Sequence, residues 1–158
     1  MKRFLSLTMA ALVLAAVPAN GGAQTAAASG QAVAISADGG EYTPEGFALR
    51  GRAEVIQGEN RLRANSINGF VTAGDLNRVE AFGDVYFVTP DQTMRGDRAV
   101  YTLADEEVVV TGDVILTQGQ NVLTGGRLVY NTRTETARIE GASNGRIRGV
   151  FYPQNSGN

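Results

Sequence analysis

Apolar residues alternate with polar or small ones along much of this chain, in short runs interrupted by glycine. The stretch VVVTGDVILT centres on Gly112. Apolar residues lie two and four positions from this glycine on both sides, so that they have the same parity (all even-numbered): Val108, Val110, Val114 and Leu116. Alternate side chains of a strand lie on one face. The stretch is therefore either a hairpin that turns at Gly112 or one long strand that bends there. A hairpin would leave strands of only about five residues. We favour the bend, because glycine has no side chain to crowd it.

This pattern recurs with a period of 29 residues. Segment 81–101 (AFGDVYFVTPDQTMRGDRAVY) aligns without a gap on segment 110–130 (VTGDVILTQGQNVLTGGRLVY), so that Gly83 falls on Gly112. Gly51 and Gly141 take the equivalent position in weaker copies of the repeat, which lie at 35–42, 49–55, 62–68 and 138–145. Self-similarity of this kind predicts supersecondary units that stack on one another.

The second half of each repeat has a shifted phase. Met94 lies two residues before Gly96, whereas Ala99 lies three residues after it. A bulge or corner at Gly96, and likewise at Gly125, would produce this slip of one residue. Outside the N-terminal segment no stretch sustains a helical apolar period. The chain is therefore predicted to be all-β, with bent antiparallel strands stacked into a β-jellyroll or V-shaped trough that is apolar inside.

The N-terminal segment has the features of a secretory signal peptide. A basic start is followed by an apolar run from Phe4 to Val17 and by small residues that end at Ala23. The alternative is an uncleaved membrane anchor, but the apolar run is shorter than the roughly 20 residues that span a bilayer. We predict cleavage after Ala23, with Ala19 as the alternative site. The predicted organisation is a signal peptide (1–23), a flexible leader (24–34), a β domain (35–152) and a C-terminal tail (153–158).

Composition then removes several classes of function. After cleavage at Ala23 the 14 basic residues lose Lys2 and Arg3, which leaves 12 arginines against 16 acidic residues, a net charge of −4. Nucleic-acid binders are normally basic. The sequence contains no cysteine and no histidine, so disulfides, the commonest metal ligand and the usual general base are missing. We therefore expect no catalytic residues, no metal site and no cofactor.

Two sets of charged residues have a functional and a structural interpretation. Asp84 and Asp113 follow the repeat glycines and resemble paired catalytic carboxylates, but their recurrence favours turn or bulge chemistry. The arginine pairs could bind phosphate or could be outward residues that protect sheet edges, and we favour the second interpretation for both pairs: Arg61 with Arg63, and Arg146 with Arg148.

The repeat segments resemble the OstA-like (LptA) family of periplasmic lipopolysaccharide transport proteins. The similarity rests on MRGDRAVY (94–101), TGDVILTQG (111–119) and LTGGRLVY (123–130) and extends over 35–152. Each motif is weak alone, whereas their order behind a signal peptide is more specific. LptC and the periplasmic domain of LptD share the fold. LptC carries an uncleaved anchor and LptD a large barrel. We expect neither feature in this sequence, which favours the LptA type.

The resemblance implies a groove that shields the lipid A acyl chains of lipopolysaccharide during transport through the periplasm. It also implies strand pairing with an LptC-like inner-membrane partner and an LptD-like outer-membrane partner, and end-to-end homo-oligomers. By parity, the groove lining is predicted to be Leu49, Val55, Leu62, Ile67, Val79, Val85, Phe87, Met94, Tyr101, Val108, Val110, Val114, Leu116, Leu123, Leu128, Tyr130 and Ile139.

For each of these residues the alternative is simple packing in a dry core. At the level of the whole protein, the alternatives are a β-solenoid scaffold of the envelope, an LptC-type periplasmic domain and a solenoid-type carbohydrate enzyme. A scaffold favours more regular rungs than these units have. A carbohydrate enzyme requires an exposed charged cluster, which the sequence lacks apart from the aspartates of the repeats.

Overall fold

The computed structural model describes residues 32–143 and 145–153. The predicted signal peptide, most of the predicted leader and all but the first residue of the predicted tail fall outside these ranges. Alternating β-branched and aromatic residues form ten strands, as expected for side chains that fit a pleated surface. The strands are β1 Val33–Ser36, β2 Gly39–Thr43, β3 Gly46–Gln57, β4 Asn60–Thr72, β5 Asp75–Val88, β6 Thr93–Thr102, β7 Glu107–Gln118, β8 Asn121–Asn131, β9 Thr136–Glu140 and β10 Arg148–Val150.

The strands form one antiparallel sheet. Its order is β1-β3-β4-β5-β6-β7-β8-β10, with β2 paired to β3 and β9 paired to β8. Tight turns join the long strands β3 to β8, so that sequence neighbours are also sheet neighbours. The all-β fold predicted from the alternation is confirmed. In the part of the chain that the structure describes, no helix is long and apolar enough to cross a membrane.

Each long strand is bent, and the bends divide the sheet into two walls. The register shifts near the middle of every pairing from β3 to β8. β1 and β10 pair with one set of half-strands, and β2 and β9 pair with the other. We call these the β1 wall (β1, 53–57, 60–64, 85–88, 93–96, 114–118, 121–125 and β10) and the β2 wall (β2, 46–50, 66–72, 75–82, 98–102, 107–111, 127–131 and β9).

The bend at Gly112 is a β-bulge inside one continuous strand. In the pairing of β7 with β8, Thr111 faces Arg127 and Val114 faces Gly125, so two residues of β7 oppose one of β8. The two residues of β7 that form the bulge are Gly112 (φ +79°) and Asp113 (φ +41°). Gly51 with Arg52 and Gly83 with Asp84 repeat this pair of left-handed conformations in β3 and β5. The predicted bend is confirmed and the hairpin at Gly112 is excluded.

The predicted corner at Gly96 is confirmed, whereas the predicted repeat position at Gly141 is wrong. The corner at Gly96 exists, but the extra residue lies on the neighbouring strands β5 and β7. Gly96 instead allows close approach, because a Cβ there would meet the Thr111 carbonyl oxygen at 2.9 Å. Gly141 is not a fourth crease, since β9 ends at Glu140 and the chain reaches β10 only at Arg148. Among the described residues, β9 and β10 each pair only with β8, so this edge strand has a neighbour on one side to hold it through a corner.

The first bent unit is also split. β1 and β2 pair with the two halves of β3 and are separated only by Ala37 and Asp38. The Asp38 N–H donates to the Gly51 carbonyl over 2.8 Å, and its carboxylate pairs with Arg52. This ion pair lowers the pKa of Asp38 from its usual value. The connection between β1 and β2 is therefore held by Asp38 against the bulge at Gly51 and Arg52 of β3.

Candidate functional site

The inner faces of the two walls meet in one apolar cluster. All 17 residues predicted to line a groove belong to it or pack against it. Three of them are half-buried, namely Tyr101, Leu123 and Ile139. Fourteen are buried: Leu49, Val55, Leu62, Ile67, Val79, Val85, Phe87, Met94, Val108, Val110, Val114, Leu116, Leu128 and Tyr130. The alternation thus placed every one of these side chains on the inner face. The bulges in β3, β5 and β7 keep the phase along the strand, and in β6 and β8 the inner face shifts by one residue at Gly96 and Gly125, as the sequence predicted.

An apolar cavity lies between the walls and is lined by residues from β1 to β7 and by Thr132 after β8. Six predicted residues line it: Val55, Leu62, Val79, Phe87, Tyr101 and Val108. Its polar rim consists of Gln57, Asn60 and Thr132. The free volume is about 30 Å³, whereas small-molecule sites usually enclose about 300–1,000 Å³. The walls are therefore in contact, and a long apolar ligand would have to separate them.

Besides the polar rim, the predicted lining missed three apolar residues of this cavity. Leu103 continues the alternation of Ala99 and Tyr101 and could have been found by parity, but it lies beyond the end of β6, where its N–H donates to Asn77. Val33 keeps the parity of Ile35 and was assigned to the leader. Leu76 breaks parity with Val79, because the pairing of β4 with β5 is irregular between Phe70 and Val71. No local signal in the sequence marks Leu76.

A polar cavity adjoins the apolar one. Glu59, Asp91 and Glu135 bring three carboxylates to its walls; the other lining residues are Asn60, Thr89, Pro90, Gln92, Tyr130 and Thr132. Asn60 and Thr132 line both cavities. Burial raises the pKa of Tyr130, and a side-chain hydrogen bond with Thr89 opposes that rise in part. The margin of the groove thus changes from apolar to acidic along the sheet.

The charged residues considered from sequence lie away from the groove interior. Arg61 and Arg63 flank the inward Leu62 and are exposed on the outer face, where Arg61 pairs with Glu54 over 2.7 Å. Asp84 and Asp113 occupy the creases with positive φ, which confirms their interpretation as bulge residues. Within residues 32–143 and 145–153, no group of three or more Asp or Glu side chains is placed to hold a metal ion.

Both ends of the sheet expose apolar side chains on short edge strands. At the N-terminal end, Ile35 of β1 is 44% exposed and Tyr42 of β2 is 78% exposed. At the C-terminal end, Val150 of β10 and the following Phe151 and Tyr152 are all more than half exposed. Unpaired edge strands with apolar residues readily accept a strand from another chain.

Comparisons with known proteins agree with this architecture. A family described as "LptA/(LptD N-terminal domain) LPS transport protein" matches residues 34–136. Among solved structures, LptH from Pseudomonas aeruginosa is similar; it is described as the LptA-homologous periplasmic component of a lipopolysaccharide transport device. The TM-score is 0.71 and the identity 22%, over 78% of this chain and 96% of LptH. At this identity the likeness shows a shared fold. No curated protein matches the sequence.

Proposed function

Because the chain belongs to the LptA/LptD N-terminal-domain family of lipopolysaccharide transport proteins, we propose that it carries lipopolysaccharide with the acyl chains held between its two walls. The observation that supports this most directly is the apolar cavity, which both walls line and which continues into the inward cluster. The proposed lining is the set of 17 inward residues together with Val33, Leu76 and Leu103. The protein acts as a carrier and performs no chemistry on the lipid.

The physical basis is exchange of apolar contacts. In the closed protein the walls bury each other, so an acyl chain that separates them replaces one apolar surface with another. The net gain comes from the acyl chain, because removing apolar surface from water contributes roughly 25 cal/mol per Å². Binding therefore needs no strong individual contact. The half-buried residues at the cavity margin, such as Leu76 and Leu103, would be the first to meet the lipid.

The periplasmic location and the partners follow from the same proposal. A signal peptide over residues 1–23 with cleavage after Ala23 would deliver the protein to the periplasm. The exposed edges then suit strand pairing with an LptC-like inner-membrane partner and an LptD-like outer-membrane partner. A further copy of this chain can pair in the same way, since one end offers β1 and β2 and the other offers β9 and β10. Such pairing would join the inner walls of successive molecules into a bridge.

Site-specific photo-crosslinking in cells tests the proposed lining. A photoreactive amino acid is placed at Leu76 or Leu103 on the cavity margin, and at Arg98 on the outer face of β6 as the control. We expect a light-dependent lipopolysaccharide adduct at Leu76 and Leu103 and none at Arg98, measured by immunoblotting and by mass spectrometry of the bound lipid. Absence of an adduct at both inner positions would contradict the carrier function and favour a closed scaffold.

A further inference from the structure

Rows of paired residues cross the whole sheet, from the N-terminal edge strands to the C-terminal ones. One row on the outer face begins at Glu41 of β2 and ends at Arg138 of β9; between them lie Ala48, Asn68, Glu80, Val100, Val109 and Val129. Each strand is antiparallel to its neighbours, so β2 and β9 run in opposite directions. A second copy in the same orientation can therefore add its β2 to β9 and continue the rows across the junction.

The β1 wall permits the same continuation. Next to the bend, the row that begins at Ser36 of β1 ends at Arg148 of β10. On the β2 wall, the row next to the bend begins at Gly39 and ends at Glu140. One placement of the second copy thus continues both walls and aligns its bend with the bend of the first copy.

This placement brings opposite charges together on the outer face. Glu41 of the second copy would lie directly opposite Arg138 of the first, and both side chains are exposed in the single molecule. Neither takes part in the ion pairs that the described residues form. Opposite charges that face each other on neighbouring strands stabilise a sheet, and like charges destabilise it. Each junction would therefore add one stabilising ion pair.

On the inner face, the same placement pairs a large side chain with a small residue in three rows. With the residue of the second copy named first, the pairs are Tyr42 with Ala137, Gly40 with Ile139, and Ile35 with Gly149. The sheet uses this arrangement internally, since Phe47 faces Gly69 and its ring lies over that glycine. The junction would also cover Tyr42, which is 78% exposed at the free edge.

Displaced registers lose the charge match. The smallest shift that keeps each side chain on its own face is two residues. In one direction this shift would place Glu41 opposite Glu140, and in the other Arg138 would face Gly39. Pairing of two β2 strands would join edges that carry the same charged residue, because Glu41 is the charged residue of β2. The charges thus favour one register and one combination of ends.

We propose that the N-terminal edge of this chain is matched to the C-terminal edge of a second copy in this one register, with Glu41 opposite Arg138. The inference rests on the self-pairing in the proposed function, and adds to it the register and the charge pair that select another copy as the partner. The inner rows of both walls then continue from one molecule into the next.

Charge reversal tests the ion pair, with self-association measured by sedimentation velocity. Glu41→Arg and Arg138→Glu each place like charges at the junction, and each should weaken self-association by about five- to thirtyfold. Both changes in one chain restore opposite charges, and this double variant should associate within about threefold of the wild type. The control is Glu45→Arg, which makes the same change of charge in the turn after β2 and should associate like the wild type.

Cysteine pairs test the register, since the wild-type sequence has no cysteine. Ala34→Cys mixed with Val150→Cys joins two residues of one outer row of the β1 wall, whereas Ser36→Cys mixed with Val150→Cys is displaced by two residues. A disulfide needs Cα atoms about 4.4–6.8 Å apart, and diagonal neighbours lie about 7–8 Å apart. We expect the mixed disulfide in the first mixture and not in the second, as identified by peptide mass spectrometry.

Wild-type association of both single charge variants, or equal disulfide yields in the two mixtures, would overturn the proposed register and leave head-to-tail pairing intact. A folded double variant that associates as weakly as the single variants would overturn the charge pair, and a mixture of the two single variants checks this in separate chains. A wild type that stays monomeric would overturn the inference together with the self-pairing. Lipid crosslinking at Leu76 and Leu103 tests the carrier function separately, so either can fail alone.

Discussion

Gly112 shows how strongly a single residue determines this architecture. Its φ of +79° lies in the left-handed region, and a Cβ at this position would overlap the Asp97 carboxylate of the neighbouring strand. Alanine in a left-handed conformation costs about 1–2 kcal/mol, and displacement of Asp97 adds to that cost. We expect Gly112→Ala to lower the free energy of unfolding by about 2 kcal/mol or more, measured by urea denaturation.

Gly119 provides the control for crowding. It also has a positive φ, +58°, but a Cβ there would meet open space. Gly119→Ala should therefore show the backbone cost alone, about 1–2 kcal/mol. Equal losses in the two variants would mean that Asp97 moves aside without cost and that backbone conformation alone requires glycine at the crease.

At the level of the strands, the sequence predicted the elements that repeat and failed at the edges. The parity around Gly112 was sufficient for β7, because both halves of that strand are held by neighbours on both sides. The same reasoning failed at Gly141, where the described strands provide a neighbour on one side only. The phase slip at Gly96 located the corner correctly, although the extra residue lies on the paired strands β5 and β7. A slip in one strand does not reveal which partner carries the insertion.

The outer face of β5 and β6 carries a cross-strand ion cluster. Glu80 points outward, yet only 6% of it is exposed. Arg78 of β5 contacts one of its carboxylate oxygens, and Arg98 of β6 lies 3.1 Å from the other. The same guanidinium groups lie 5.4 Å from the centre of the Phe70 ring and 5.2 Å from that of Phe82. The carboxylate thus fixes two arginines that cover aromatic rings on the outside of the β2 wall.

We expect Glu80→Ala to destabilise the fold by about 1.5–3 kcal/mol, because it removes charge-assisted hydrogen bonds and leaves two arginines close together. Glu140→Ala is the matched comparison: Glu140 pairs with Arg127 over 3.3 Å, but about half of its side chain is exposed. That pair should contribute about 0–1 kcal/mol. Urea denaturation of both variants measures the difference. If Glu80→Ala lowered the free energy of unfolding no more than Glu140→Ala does, the cluster would contribute no more to stability than an exposed ion pair.

At the scale of the whole molecule, sequence parity identified which residues face inward but not where the cavity lies. All 17 predicted residues belong to the inner cluster or pack against it, while the free space between the walls is a small cavity that only six of them line. The separation of the walls depends on contacts between residues far apart in the chain, such as Phe87 and Tyr130. The distance between the walls therefore cannot be predicted from the local pattern of apolar and polar residues. The exposed ends are similarly a property of the assembled sheet.

The two ends of the sheet differ, so that self-association by strand pairing would be head-to-tail. Interfaces of this kind join one surface to a different one and form a ring if the rotation closes or an open filament if it does not. Charge on an edge strand blocks pairing. We therefore expect Ile35→Asp on β1, or Val150→Asp on β10, to weaken self-association by about tenfold or more, as measured by sedimentation velocity. Tyr86→Asp, on the outer face away from both ends, should associate like the wild type.

Mixing the two edge variants distinguishes the possible geometries. The Ile35→Asp protein keeps an intact C-terminal edge and the Val150→Asp protein keeps an intact N-terminal edge. A head-to-tail contact then predicts that the mixture forms dimers through these two intact edges and that growth stops there. If pairing were instead between identical ends, one variant alone would lose association, the other would associate normally, and mixing would produce no new species. Dimers confined to the mixture would therefore establish that β1 and β2 of one molecule meet β9 and β10 of the next.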